Sequence, residues 1–218
     1  MKGPTSSDIR LRLFENRWLE LLTVISVRWF IAIWATVLPW LAYSAWGSAP
    51  LPAVIPLVGA GWLMFTVLEY TAHRFLFHWI PKSDWMAQVV FIIHGNHHMQ
   101  PMDKLRSLMP PIISFPIGLA VASLMDIAFG WAAAWMLFGF VLGYVAYDLT
   151  HYASHQWAMR GWLGQKLKRH HMLHHFVSEE GNYAVTGLFW DRVFGTKVTI
   201  AKRAAEGKPT EEALEPAE

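Results

Sequence analysis

Four long apolar runs, separated by polar stretches of unequal length, set the plan of the chain. The first, Leu21 to Trp46, is interrupted only by Arg28. A membrane span needs about 20 such residues. Arg28 stands near the basic end, where its long stem can reach the headgroups and serve as an anchor, and Pro39 predicts a kink. After an uncharged turn, Gly47-Ser48-Ala49-Pro50, comes Leu51 to Ala72, with Glu69 its only charge. At 1.5 Å per residue this run reaches roughly 33 Å, enough to cross. Pro110 to Phe129 and Trp131 to Tyr147 form a second pair about Gly130, the latter ending in Asp148, His151 and His155. The pattern predicts an all-α integral membrane protein with four transmembrane helices in two hairpins (about 21–46, 51–72, 110–129 and 131–150), within a membrane domain spanning 21–200. Residues 1–20 carry Lys2, Arg10, Arg12 and Arg17 and a weak amphipathic pattern at Leu11, Leu13, Phe14 and Trp18. They fit an interfacial helix or a flexible segment equally well. Residues 201–218, rich in Ala, Glu, Lys and Pro, predict a disordered tail.

Charge orients the plan. Of the eighteen Lys and Arg, only Arg28 lies outside the N-terminal segment, residues 73–109 and the C-terminal segment. The positive-inside rule then puts both termini and a histidine-rich helical cap on the cytoplasmic side. Composition agrees: 54% of residues are hydrophobic and 16% charged, against about 25% charged in a soluble domain. A soluble bundle of this size has too little polar sequence to cover four such runs. No removable signal peptide is read at the N-terminus. The formal charge of +2 points to no acidic partner and no nucleic acid.

The candidate chemistry is concentrated in the eleven histidines, all between His73 and His175, in a chain without cysteine. They fall into four groups: His73 and His78; His94, His97 and His98; His151 and His155; and His170, His171, His174 and His175. His151 and His155 share a helix face. In the two H-x2-H-H triplets the adjacent pair diverges by about 100°, so one triplet can serve two neighbouring metals. His73 and His78, five apart, would be splayed by a regular helix; either the helix ends or distorts between them, or they bind different ions. With His170 set aside, ten imidazoles over two ions give five each, leaving positions open for a small ligand. Imidazole suits Fe, Zn, Cu and Ni, so ligand type does not select the metal. Glu69, four before His73, and Asp148, three before His151, sit on the right faces to accept the imidazoles' other N–H groups. The alternative for each is a carboxylate at the end of a span facing water. Asp191, Asp103 and Glu179 are further candidates. Asn182 and Tyr183 either close a pocket or form a plain turn. No catalytic group outside the metal site is read.

The order H-x4-H, H-x2-H-H, H-x3-H, H-x2-H-H resembles the fatty acid hydroxylase and sterol desaturase superfamily, and the motifs around it resemble those of the membrane fatty acid (sphingolipid) 2-hydroxylases. The matching segments are Glu69-Tyr70-Thr71-Ala72-His73 through His78, and His94-Gly95-Asn96-His97-His98 with Pro101, Asp103, Arg106 and Pro110-Pro111. Tyr147-Asp148-Leu149-Thr150-His151-Tyr152 matches too, as does Gly181-Asn182-Tyr183-Ala184-Val185-Thr186 with Phe189-Trp190-Asp191 and Phe194-Gly195-Thr196. The resemblance covers about residues 60–197. It implies ten ligands: His73, His78, His94, His97, His98, His151, His155, His171, His174 and His175. His170 is outside the pattern, either substituting for His171 or contacting a lipid phosphate.

The resemblance further implies an O2-dependent di-metal monooxygenase, expected to use two Fe ions, with Zn possible in the isolated protein. Its substrate would be a membrane lipid, hydroxylated at C2 of the acyl chain of a sphingolipid or fatty acid. Many relatives carry a fused cytochrome b5-like domain; residues 1–20 are too short for one, so electrons are expected from a separate cytochrome b5-like protein or ferredoxin and its reductase. A desaturase, sterol oxidase or carotenoid hydroxylase with the same histidine set is the alternative. A metal transporter would place ligands along the crossing path, and a zinc hydrolase needs about three; neither fits. The bilayer is expected to be a bacterial inner membrane, or the endoplasmic reticulum if the protein is eukaryotic.

Overall fold

The structure, a computed structural model, describes residues 10–200, whose regular elements are all helices, with no strand among them. Its longest helix, α7 (Ala133–Gln156), is the one most enclosed by its neighbours. Around it stand α2 (Val27–Ala45), α3 (Leu51–Ala72) and α6 (Pro111–Phe129). Among the described residues, three helical stretches are long and apolar enough to cross a membrane: Val27–Ala45, Leu51–Phe77 and the 46-residue Pro111–Gln156. Their outer faces carry exposed apolar side chains such as Ile55, Leu119 and Ile127, a pattern suited to lipid rather than water.

The long third stretch is not straight. Gly130, with φ +52°, and a short 3-10 turn over Gly130–Ala132 break it between α6 and α7. Near the other end, the Met109 amide just before α6 donates to the Asp148 carboxylate late in α7 (3.1 Å). The chain therefore doubles back.

α3 and α7 approach closely because each is glycine at the crossing. A Cβ at Gly61 would run into the Met136 carbonyl, and one at Gly139 into the Val58 backbone. Small residues at such a crossing let two helices touch backbone to backbone. Below it, Phe65 of α3 meets Phe140 edge-on at 5.3 Å between ring centroids, and Trp34 of α2 meets Tyr144 at 5.1 Å. Trp34 also stacks on Phe115 of α6 at 5.7 Å, so one aromatic cluster ties all four helices together.

The apolar run from Leu21 is not one helix from its start. α1 (Arg17–Leu22), capped by Asn16, ends at Thr23, whose hydroxyl donates to the Glu20 carbonyl (2.8 Å). α2 begins after Ser26, whose hydroxyl caps the Trp29 amide, and the intervening Ile25 amide bonds the Leu105 carbonyl (2.9 Å). Short polar side chains compete locally with helical hydrogen bonding, so the helix starts at Val27 rather than 21. It continues through Pro39. Arg28 is exposed. Residues 10–20 are strapped to the loop before α6: Arg10 pairs with Asp103 (3.1 Å), the Leu11 amide donates to Gln100 (2.8 Å), and Arg106 reaches both the Leu11 carbonyl and Glu20. Residues 1–9 and the expected tail 201–218 lie outside the described residues.

Candidate metal centre

The histidines are delivered by five helical segments that converge at one end of the bundle. α3 continues past Ala72 as a π-helical turn, His73–Phe77, in which the His78 amide bonds the His73 carbonyl (3.3 Å). A π turn brings residues five apart onto one side of the axis. That resolves the awkward spacing: His73 and His78 stand together, their Nε2 atoms 3.2 Å apart. A second π turn, Phe91–Gly95, follows α4 (Asp84–Val90) and leads into α5 (Asn96–Met99). There the Asn96 side-chain amide donates to the Phe91 and Ile92 carbonyls (3.0 and 2.7 Å). His151 and His155 end α7, and α8 (Trp162–Phe176) carries His171, His174 and His175.

Ten imidazoles assemble into two groups of five. One holds His73, His78, His94, His98 and His174; the other holds His97, His151, His155, His171 and His175. Within each group the ligand-capable atoms lie within 4.8 Å of one another. Each triplet is shared: His94 and His98 join one group and His97 the other, while His171 and His175 join the second and His174 the first. Successive Nε2 contacts fall between 2.8 Å, for His151 with His97, and 3.3 Å, for His174 with His98.

The donor set fits metal ions. The Nδ1 of His73 faces the Tyr183 carbonyl, that of His151 the Ser107 carbonyl (3.0 Å) and that of His174 the Gly181 carbonyl (2.8 Å). A carbonyl only accepts, so these Nδ1 atoms carry the proton and each Nε2 presents a lone pair. Lone pairs aimed at one another repel unless a cation lies among them. Neighbouring donors at right angles around an ion about 2.1 Å away stand roughly 3.0 Å apart, as these do. Burial also holds the imidazoles neutral, the form that binds a metal. It lowers His94, His97, His171 and His174 well below the ordinary value, helped by neighbouring histidines. It brings His98 down to about 4 and, with His98 as a second cause, His78 also to about 4.

The two carboxylates expected to receive imidazole protons do not touch a histidine. Glu69 instead accepts the Val185 amide, the Thr186 amide (2.8 Å) and the Thr186 hydroxyl. Asp148 accepts the Met109 amide. Each acts at one remove: Glu69 holds the segment whose Tyr183 carbonyl meets His73, and Asp148 holds the segment whose Ser107 carbonyl meets His151. Helical spacing put them on the correct face, but loops packed over that face supplied the nearer acceptors. Of the weaker candidates, Glu179 meets His98 Nδ1 (3.2 Å) and Asp103 pairs with Arg10.

Asp191 and His170 form a separate hub. The His170 Nε2 donates to Asp191 (2.9 Å), which also accepts the Tyr183 and Ala184 amides (both 3.0 Å) and the Thr196 hydroxyl (2.7 Å). Burial opposes the charge of Asp191, but the bonds from His170, Thr196 and Ala184 outweigh it and hold the carboxyl below its usual value. His170 thus neither replaces His171 nor needs a phosphate for its imidazole. Asn182, at φ +55°, is a structural turn: its side chain bonds the carbonyls of His170 and Val198 and accepts the Val198 amide (2.8 Å). The carbonyls of Ser107, Gly181 and Tyr183 went unseen in the sequence, since any residue type supplies one.

A cavity of about 680 Å³ opens over both groups, lined by His78, His94, His98 and His175. Phe77, Trp79, Ile80 and Phe176 make its apolar wall; Ser178, Glu179 and Glu180 make its polar rim.

Membrane-length apolar helices capped by two all-imidazole groups define an integral membrane protein of a histidine-rich, metal-binding class. Known proteins narrow that class. The profile of the fatty acid hydroxylase family matches residues 58–196, and the chain belongs to that family. The dihydroceramide fatty acyl 2-hydroxylase FAH1 of Arabidopsis thaliana is 36% identical over 199 residues, covering 86% of this chain and 80% of the relative. The human fatty acid 2-hydroxylase is 35% identical over 140 residues, covering 62% and 38%. The solved hydroxylase domain of full-length Scs7p superposes with a TM-score of 0.78 at 33% identity, over 85% of this chain and 71% of that one.

Proposed function

We propose that this protein hydroxylates C2 of a fatty acyl chain held in a sphingolipid or as a fatty acid. It would use dioxygen, two iron ions and electrons from a cytochrome b5-like protein or ferredoxin served by a reductase. The observation that carries the reading is the pair of five-imidazole groups converging beneath one cavity whose walls are part polar and part apolar. The relatives named as fatty acyl 2-hydroxylases support the substrate class.

His73, His78, His94, His98 and His174 would hold one ion, and His97, His151, His155, His171 and His175 the other. The ions would supply dioxygen activation, which an all-nitrogen, open-sided site suits. The chain's own contribution is orientation and exclusion. The Tyr183, Gly181 and Ser107 carbonyls fix three ring orientations. Ser178, Glu179 and Glu180 offer polar contacts to a carbonyl or headgroup, while Phe77, Trp79 and Ile80 line the way for the first methylenes. C2 is the first carbon beyond the carbonyl, so it lies where polar rim gives way to apolar wall. That wall keeps water from the reacting carbon.

In the membrane, Gly130 would turn Pro111–Gln156 into two crossings, giving four spans in two hairpins. The basic segments and the histidine cap would face the cytoplasm.

The test is product analysis. Protein loaded with ferrous iron under anaerobic conditions is given dioxygen, a reductase system and dihydroceramide, and products are fragmented by mass spectrometry. A gain of one oxygen at acyl C2, absent in His174→Ala, is expected. Loss of two hydrogens would move the assignment to a desaturase. No product, with two irons bound and electron delivery demonstrated, would sink the reading for that lipid.

A further inference from the structure

The net charge of +2 hides a local concentration of cations on the face of α8 turned away from the metal groups. Along α8, Lys166, Arg169, His170 and Leu173 recur at intervals of three, one and three residues, which is one helical stripe. His171, His174 and His175 lie further round the helix, where they enter the metal groups. The basic stripe faces Arg192 of α9 (Trp190–Val193) and Lys197 across a cavity of about 430 Å³. Its wall also contains Leu188, Phe189 and Ile200, and no carboxylate among the described residues. Asp191, beside Arg192 in the sequence, is fully buried with both oxygens engaged. Four exposed cations around one cavity repel one another unless an anion joins them.

Position identifies the anion. The Trp190 indole donates to the Thr66 hydroxyl (3.1 Å), and the Val185 and Thr186 amides bond Glu69. Residues 185–190 therefore lie beside the last two turns of a membrane-crossing helix, Thr66 being about 10 Å along the axis from His73. Next to the cations, Phe189, Val193 and Phe194 are 45%, 63% and 49% exposed. Cations bordering exposed apolar side chains at that depth match a phosphate with hydrocarbon attached.

We propose that this cavity binds the phosphate of an anionic membrane phospholipid, whose acyl chains lie against Phe189, Val193 and Phe194. The lipid would join α8 to α9 from outside. The proposal is independent of the reaction proposed above.

The test titrates the purified full chain with palmitoyl-oleoyl phosphatidylglycerol, with the matching phosphatidylcholine and with inorganic phosphate, read by native mass spectrometry. Preferential retention of phosphatidylglycerol is expected. Each basic residue near a membrane surface contributes about fivefold, so Arg169→Ala with Arg192→Ala should weaken that retention roughly 30-fold. Lys82→Ala with Lys104→Ala, remote from the cavity, should leave it unchanged. Should the alanine pair fail to fold, Arg169→Gln with Arg192→Gln serves, with unfolding temperature as the check. Equal retention of the two lipids, or equal loss in both double variants, would overturn the proposal. Saturation by inorganic phosphate at the same concentration as the lipid would assign the site to free phosphate and overturn the lipid assignment.

Discussion

Replacing Asp191 with alanine should damage both the fold and one metal group, and the structure says which. The carboxylate is fully buried and accepts from His170, the Tyr183 and Ala184 amides and the Thr196 hydroxyl. Leaving a buried donor unsatisfied costs about 1–3 kcal/mol. Four orphaned donors would each carry part of that cost, and partial relaxation leaves an expected net loss of about 3–5 kcal/mol. At roughly 2–4 °C per kcal/mol in a chain of this size, the unfolding temperature should fall by about 6–20 °C. The damage is directional. The segment Asp191 anchors supplies the Gly181 and Tyr183 carbonyls, the acceptors for His174 and His73. Both belong to the first group, whereas the backbone acceptor for the second among the described residues is Ser107, on a different segment. Loss of an outer partner weakens a metal about 10–100-fold. Thermal unfolding in detergent with stepwise metal titration should therefore show one weakened and one unaltered binding step. An unfolding temperature within about 2 °C of wild type, or equal weakening of both steps, would refute the reasoning.

Acid should destabilise the metal-free protein through its buried imidazoles. Burial holds His78 and His98 near 4 in the fold, while in the unfolded chain they titrate near 6.5. At these two groups the unfolded state thus binds more protons between these values, so their contribution to stability is fully present above about 6.5 and is lost as pH drops towards 4. Unfolding temperatures at pH 7.5, 6 and 5 should decline in that order; a flat profile would contradict buried neutral imidazoles. At the helix crossing, Gly139→Ala drives a methyl into the Val58 backbone. Overpacking typically costs about 1–3 kcal/mol, and because α3 carries His73 and α7 carries His151 and His155, metal content should fall alongside stability. Unchanged stability and metal content would mean the two helices are not in backbone contact.

The sequence by itself determined the helical class, the apolar runs and which ten histidines would meet. Hydrophobic run length is dictated by bilayer thickness, and clustered histidines at helical intervals have few uses other than metals. It also identified the difficulty at His73 and His78, because five residues do not fit an α-helical turn. Only the tertiary structure decided how that difficulty was met, by a π turn, and how each triplet divides between the groups, since that depends on how five helical pieces converge. It moved Glu69 and Asp148 one step away from the imidazoles. A helical face says where a carboxylate points, but the loop that packs there supplies the partner. The carbonyls of Ser107, Gly181 and Tyr183 have no sequence signature at all, because every residue carries one. The basic cavity under α8 was equally hidden: its cations come from two helices and a loop, and a net charge sums over the whole chain and cannot report where charges gather.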